Sequence, residues 1–137
     1  MSRAKRGLLA ALIVLISAAL LFGGSYLLRW RHYVRTVEEI RLSDVNLSAL
    51  ADGDYFGECD ADFVAARVKV TIQGGRIAAI ELLEHRNERG AAAEILPARI
   101  VAAQSPDVDA VAGATNSSKV ICQAVEHALL GTIKARE

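Results

Sequence analysis

Val68-Lys69-Val70-Thr71-Ile72-Gln73-Gly74-Gly75-Arg76-Ile77 decides the fold. Val68, Val70 and Ile72 alternate with Lys69 and Thr71, the period-2 pattern of a strand with one buried face. Gly74-Gly75 is a two-residue hairpin signal, because both central positions of the favoured turn need a positive φ. Ile77, Ile80, Leu82 and Leu83 follow, so the pattern predicts two antiparallel strands over residues 63–73 and 76–85. Upstream, Asp52-Gly53-Asp54 reads as a turn and residues 55–59 as a short strand. Downstream, residues 87–93 are a loop of polar and small residues. Ile95, Leu96, Ile100 and Val101 then share one face of a helix over residues 95–104, with Pro97 tolerated in its first turn. Ser105-Pro106-Asp107 stops it. A last helix, from Lys119 to about Ile133, lines up Val120, Ile121, Ala124, Val125, Ala128 and Leu129 at i, i+3, i+4 spacing. These elements predict an α+β domain: a small antiparallel sheet with two packed helices.

An N-terminal transmembrane helix is expected ahead of that domain. Leu8 to Leu28 is a run of 21 uncharged residues, enough at ~1.5 Å per residue to cross a ~30 Å hydrocarbon layer. Tyr26 and Trp30 suit the far interface. Arg3, Lys5 and Arg6 also resemble the basic start of a cleaved signal peptide. The run is long for that role, and Phe22-Gly23-Gly24-Ser25 is a poor cleavage site followed by more apolar residues. No cysteine follows to take a lipid anchor. The chain of 137 residues thus divides into a basic tail (1–7), an anchor (8–28), a juxtamembrane spacer (29–51) and one domain (52–137).

The formal net charge of zero hides an asymmetry. Residues 1–35 carry six basic side chains and no acid, a net of +6, and residues 36–137 carry 10 basic and 16 acidic ones, a net of −6. An acidic domain lacks the basic footprint that nucleic acid requires. The basic residues bracket the apolar run instead, where anionic lipid headgroups would meet them. Three lie on each flank, so charge alone does not orient the span.

Cys59 and Cys122 are too few for a disulfide framework or a metal cluster. They read as buried free thiols, with a bridge open in an oxidising compartment. His85, His127 and the acids lack metal-ligand spacing, so no metal site is expected. No Ser/His/Asp or Cys/His arrangement marks a nucleophile, and no catalytic residue is assigned.

One segment offers chemistry: Val108-Asp109-Ala110-Val111-Ala112-Gly113-Ala114-Thr115-Asn116-Ser117-Ser118-Lys119. It places the Thr115 hydroxyl at a helix N-terminus, where unpaired N–H groups and the dipole favour a phosphate. Gly113 and Ala114 keep the approach open, and Asn116, Ser117 and Ser118 offer further donors. The same residues also make an ordinary loop and N-cap.

The run from Asp109 to Thr115 resembles the acceptor motif of the FMN-binding domain family, in which an aspartate lies six residues before the threonine of Gly-Ala-Thr. Asp52–Glu58, the hairpin from Val68 to His85 and the helix after Ile95 are similar to that family in the same order, over about residues 52–130. The resemblance implies FMN joined to the Thr115 hydroxyl through a phosphodiester by a flavin transferase, with Asp109 presenting the threonine. Asp109 capping a turn is the competing reading. It further implies a domain outside the cytoplasm, an N-terminus inside it, and a membrane electron donor and acceptor. The chain would then be an electron carrier more than a stand-alone enzyme. Glu84 and His85 lie at a strand end that the family places near the flavin, where His85 would tune the ring or carry a proton. A solvent-exposed strand-end histidine is the alternative. The family usually has Ser or Thr where this chain has Ala112. Two further readings stand beside the carrier: an accessory or sensory module without flavin, and a small reductase with noncovalent FMN.

Overall fold

The computed structural model describes residues 3–131. The expected helix end at Ile133, and residues 1–2 and 132–137 of the expected tail and domain, lie outside the described residues. The chain divides into two compact units, Met1–Val34 and Arg35–Glu137.

Helix α1 runs Arg3–Glu38 and is long and apolar enough to cross a membrane, with none of its most apolar window buried. Its leucines and isoleucines are exposed, and Phe22 reaches 79 %. A continuous apolar surface of this kind is stable in hydrocarbon and not in water. The helix continues to Glu38, past the uncharged run and into the expected spacer.

The second unit holds a three-stranded antiparallel sheet in the order β1 (Gly53–Asp60), β2 (Ala65–Gln73), β3 (Arg76–Arg86). The β2–β3 turn is the one the sequence predicts: Gly74 and Gly75 take φ of 60° and 71°, and Asp52 Oδ1 accepts from Gly74 N at 2.8 Å. Strand β1 is longer than expected because Gly53 and Asp54 pair with Ile72 and Thr71. Strand β2 starts at Ala65, since Ala61 N bonds to Val64 O in a tight turn with Asp62 at φ 73°.

Ala66, Val68, Val70 and Ile72 point into the core, as alternation requires. Strand β3 keeps pace only through two bulges. Ala78 and Leu83 have no partner on β2, so the inward set becomes Ile77, Ile80, Leu82 and His85. Each bulge shifts the alternation by one residue. Leu83, expected among the apolar set, is exposed.

Residues 91–93, expected as loop, form with Glu94 and Ile95 a 3₁₀ helix that leads into α2 (Leu96–Ala103). Pro97 sits in the first turn of α2, as expected. Ile95 does not share the buried face; it is the N-cap and 48 % exposed, while Leu96 and Ile100 are fully buried. Gln104 ends α2 in the left-handed region. Its amide accepts from Ile77 N at 2.8 Å and donates to Ile77 O at 2.9 Å, tying α2 to β3.

Helix α3 (Thr115–Leu129) begins four residues earlier than the pattern from Lys119 predicts. All six stripe residues from Val120 to Leu129 are buried. Helix α3 covers β1 and β2, and α2 lies on β3. Gly57 lets α3 lie directly on β1: a Cβ there would overlap Ala124 O and stand 2.5 Å from Ala128 N.

Candidate functional site

Thr115 is the first residue of α3 and is exposed. The chain reaches it through a turn closed by Ala114 N to Val111 O at 3.0 Å. Gly113 sits third in that turn with φ 78°, the position that demands a left-handed residue in a type II geometry. A Cβ at Gly113 would meet no atom within 4 Å, so the turn is open on that side. Ala114, the N-cap, provides no side-chain acceptor. The positive end of the helix and its first-turn N–H groups therefore meet an exposed surface beside the Thr115 hydroxyl. Asp109, Ala112 and Asn116 are exposed as well.

Ser117 and Ser118 are placed otherwise than the sequence suggests. Both are buried. Ser118 Oγ donates to Ala114 O at 2.7 Å and accepts from Val111 N at 2.9 Å, stapling the turn to the helix. Ser117 packs on Gly90. Neither hydroxyl is turned toward an anion at Thr115. The donors beside Thr115 are the first-turn amides.

His85 is not solvent-exposed: its side chain is 3 % accessible. The bulge at Leu83 turns it inward, opposite Ala66. Its Nδ1 lies 3.0 Å from Glu94 Oε1 and 3.2 Å from Asn87 Nδ2. That nitrogen can donate to the carboxylate or accept from the amide, and not both. Nε2 is buried with no partner among the described residues. Glu84, expected beside His85, points to the opposite face and lies 3.7 Å from Arg67. The structure therefore separates the two.

The loop after β3 joins His85 to the helix start. Asn87 Oδ1 accepts from Gly90 N at 2.9 Å, and Gly90 O accepts from Ala93 N at 2.9 Å to begin the 3₁₀ helix. Asn87, Gly90 and Glu94 escaped the sequence reading. An Asn three residues before a Gly is an available loop-closing signal.

Cys59 and Cys122 are free thiols. Burial pushes each up to about 11, with Asp60 adding to the rise at Cys59 and a Val108 backbone bond partly opposing it at Cys122. No group of three or more His, Cys, Asp or Glu residues suited to a metal occurs among the described residues. An open cleft of about 500 Å³ is lined by Glu39, Glu58, Cys59, Asp60, Gln123 and His127 among others, toward the far end of α3 from Thr115.

Residues 65–130 match the FMN-binding domain family, and the chain carries an FMN-binding domain over that span. The chain is also similar to an uncharacterised protein of Treponema pallidum (strain Nichols), 32 % identical over 127 residues. That alignment covers 89 % of this chain and 35 % of the relative, so the chain spans about a third of the relative's length. No solved structure gives a significant match. The open turn, the exposed hydroxyl and the uncapped helix start fit the phosphate of FMN.

Proposed function

We propose, from the FMN-binding domain over residues 65–130, that this protein carries electrons through FMN bonded covalently to Thr115. The observation behind the reading is the exposed Thr115 hydroxyl at an uncapped helix N-terminus after the Gly113 turn. For attachment, Thr115 Oγ attacks the phosphorus of an FMN phosphate held in a nucleotide anhydride. An Oγ–P bond forms, the anhydride P–O bond breaks, the second nucleotide leaves as its monophosphate, and the hydroxyl proton goes to solvent. A flavin transferase performs this step, with Asp109 helping to present Thr115. The first-turn amides of α3 stabilise the phosphodiester charge. Bound FMN supplies the redox chemistry, and the protein supplies its position and surroundings.

In this reading α1 anchors the domain to a membrane, with its N-terminus inside and the domain outside the cytoplasm. The donor and acceptor are membrane-associated redox partners. A tether suits that location, because a covalent flavin cannot dissociate and be diluted.

The test uses the full chain expressed with a flavin transferase in an export-competent host. Flavin fluorescence should stay with the denatured polypeptide on a gel and be absent in Thr115→Val. Flavin released by denaturation would instead favour noncovalent binding, and an unlabelled wild-type chain would favour the flavin-free module.

A further inference from the structure

Gly90 has φ −97° and ψ 10°, a conformation open to any residue. Backbone freedom therefore does not explain a glycine here. Space does: a Cβ at Gly90 would overlap Ser117 Oγ and stand 2.6 Å from Ser117 Cβ. The hydroxyl can rotate away, but the Ser117 Cβ cannot move without moving the first turn of α3. That turn begins at Thr115 and is stapled to the acceptor turn by Ser118 Oγ, through Ala114 O and Val111 N. Any displacement of Ser117 is thus carried to Thr115.

Gly90 is itself held in place. Asn87 Oδ1 fixes its N–H at 2.9 Å, and Asn87 Nδ2 reaches His85 Nδ1 at 3.2 Å. Glu94, on the following 3₁₀ helix, closes on the same His85 nitrogen at 3.0 Å. The end of β3, the loop and the helix start form one connected unit.

We infer that Gly90, held by Asn87, is a positioning residue for flavin attachment: its bare Cα sets where the first turn of α3 presents Thr115 to the transferase. The inference rests on Thr115 being the acceptor. Reacting groups misplaced by about 1 Å lose on the order of 100-fold in rate, and relieving the Gly90 overlap demands a shift of that size.

The test follows covalent loading of the purified full chain in detergent, given a flavin transferase and its flavin-nucleotide donor, with thermal melts alongside. Gly90→Ala should load on the order of 100-fold more slowly. Adding Ser117→Gly removes both clashing atoms and should restore loading, a rescue that general destabilisation would not give. Asn87→Ala should slow loading by about tenfold, while Asn87→Asp, which keeps the acceptor for Gly90 N, should load like wild type. Should Gly90→Ala not fold, the Asn87 pair decides. Wild-type loading by a folded Gly90→Ala or Asn87→Ala chain would overturn the inference alone, as would a folded double variant that stays slow. A wild-type chain that takes no flavin, from a transferase active on its usual substrate, would overturn the Thr115 reading and this inference with it.

Discussion

Two glycines press against α3, and the two ends of the helix they serve are built for different purposes. Gly57 meets the backbone at Ala124 and Ala128, in a stretch where Ala124, Val125, Ala128 and Leu129 are all buried. There the polar groups are also internally satisfied. Glu126 is buried and accepts from Ser43 N and Gln123 Nε2, and His127 Nδ1 lies 2.7 Å from Glu58 O. At the other end, Gly90 meets side chains, Ser117 closest and Asn87 Cβ at 3.4 Å, and Thr115 and Gly113, two and four residues before Ser117, stand exposed. One end of α3 is packed into the domain; the other leaves Thr115 exposed beside the Gly113 turn.

The contrast predicts that damage at the Gly57 end costs stability, and damage at the Gly90 end costs loading. Gly57→Ala drives a methyl into rigid backbone and should destabilise by about 3 kcal/mol, the upper end for overpacking. Chemical denaturation of the full chain in detergent would read it. A loss well under 1 kcal/mol would mean that α3 slides freely over β1. Glu126→Ala leaves Ser43 N without its acceptor and should cost about 1–3 kcal/mol, with the loading rate unchanged. Slower loading at unchanged stability would erase the distinction between the ends.

The thiols set a third, smaller effect. Cys59 and Cys122 rise in the fold from the ordinary 9.0 to about 11. A raised value favours the protonated thiol in the native state, so their contribution is complete below pH 9 and is lost as pH climbs from about 9 toward about 11. The denaturation midpoint should therefore fall across that window, and less steeply in Cys122→Ala. Native thiols should also resist alkylation at neutral pH. The smallest expected effect is at Ala112, exposed in the acceptor turn. Ala112→Ser should keep or modestly raise loading; a clear drop would show that the position does not tolerate a hydroxyl.

The sequence discloses these two ends unequally. The buried half of α3 is written in its spacing, since every stripe residue from Val120 to Leu129 lies in the core. The β2–β3 hairpin is equally plain, because alternation and Gly74-Gly75 are local signals. The start of α3 is not. Ser117 and Ser118 read as loop residues, and only the contact with Gly90 and the bonds to Ala114 and Val111 bring them into a helix. His85 was hidden for a related reason. Alternation from Ile80 and Leu82 puts it on the outer face until the bulge at Leu83 is known. Ordinary alternation parts His85 from Glu84, which adjacent positions in sequence had joined. Thr115 was singled out by its resemblance to a known acceptor motif, and the structure puts it after the open Gly113 turn at an uncapped helix start.

The most direct test of the account is the intact mass of the full chain after maturation with a flavin transferase. The wild type should gain one FMN less one water and Thr115→Val should gain nothing, with both chains folded. A flavin-sized gain that persists in Thr115→Val, or a wild-type mass that does not change, would contradict it.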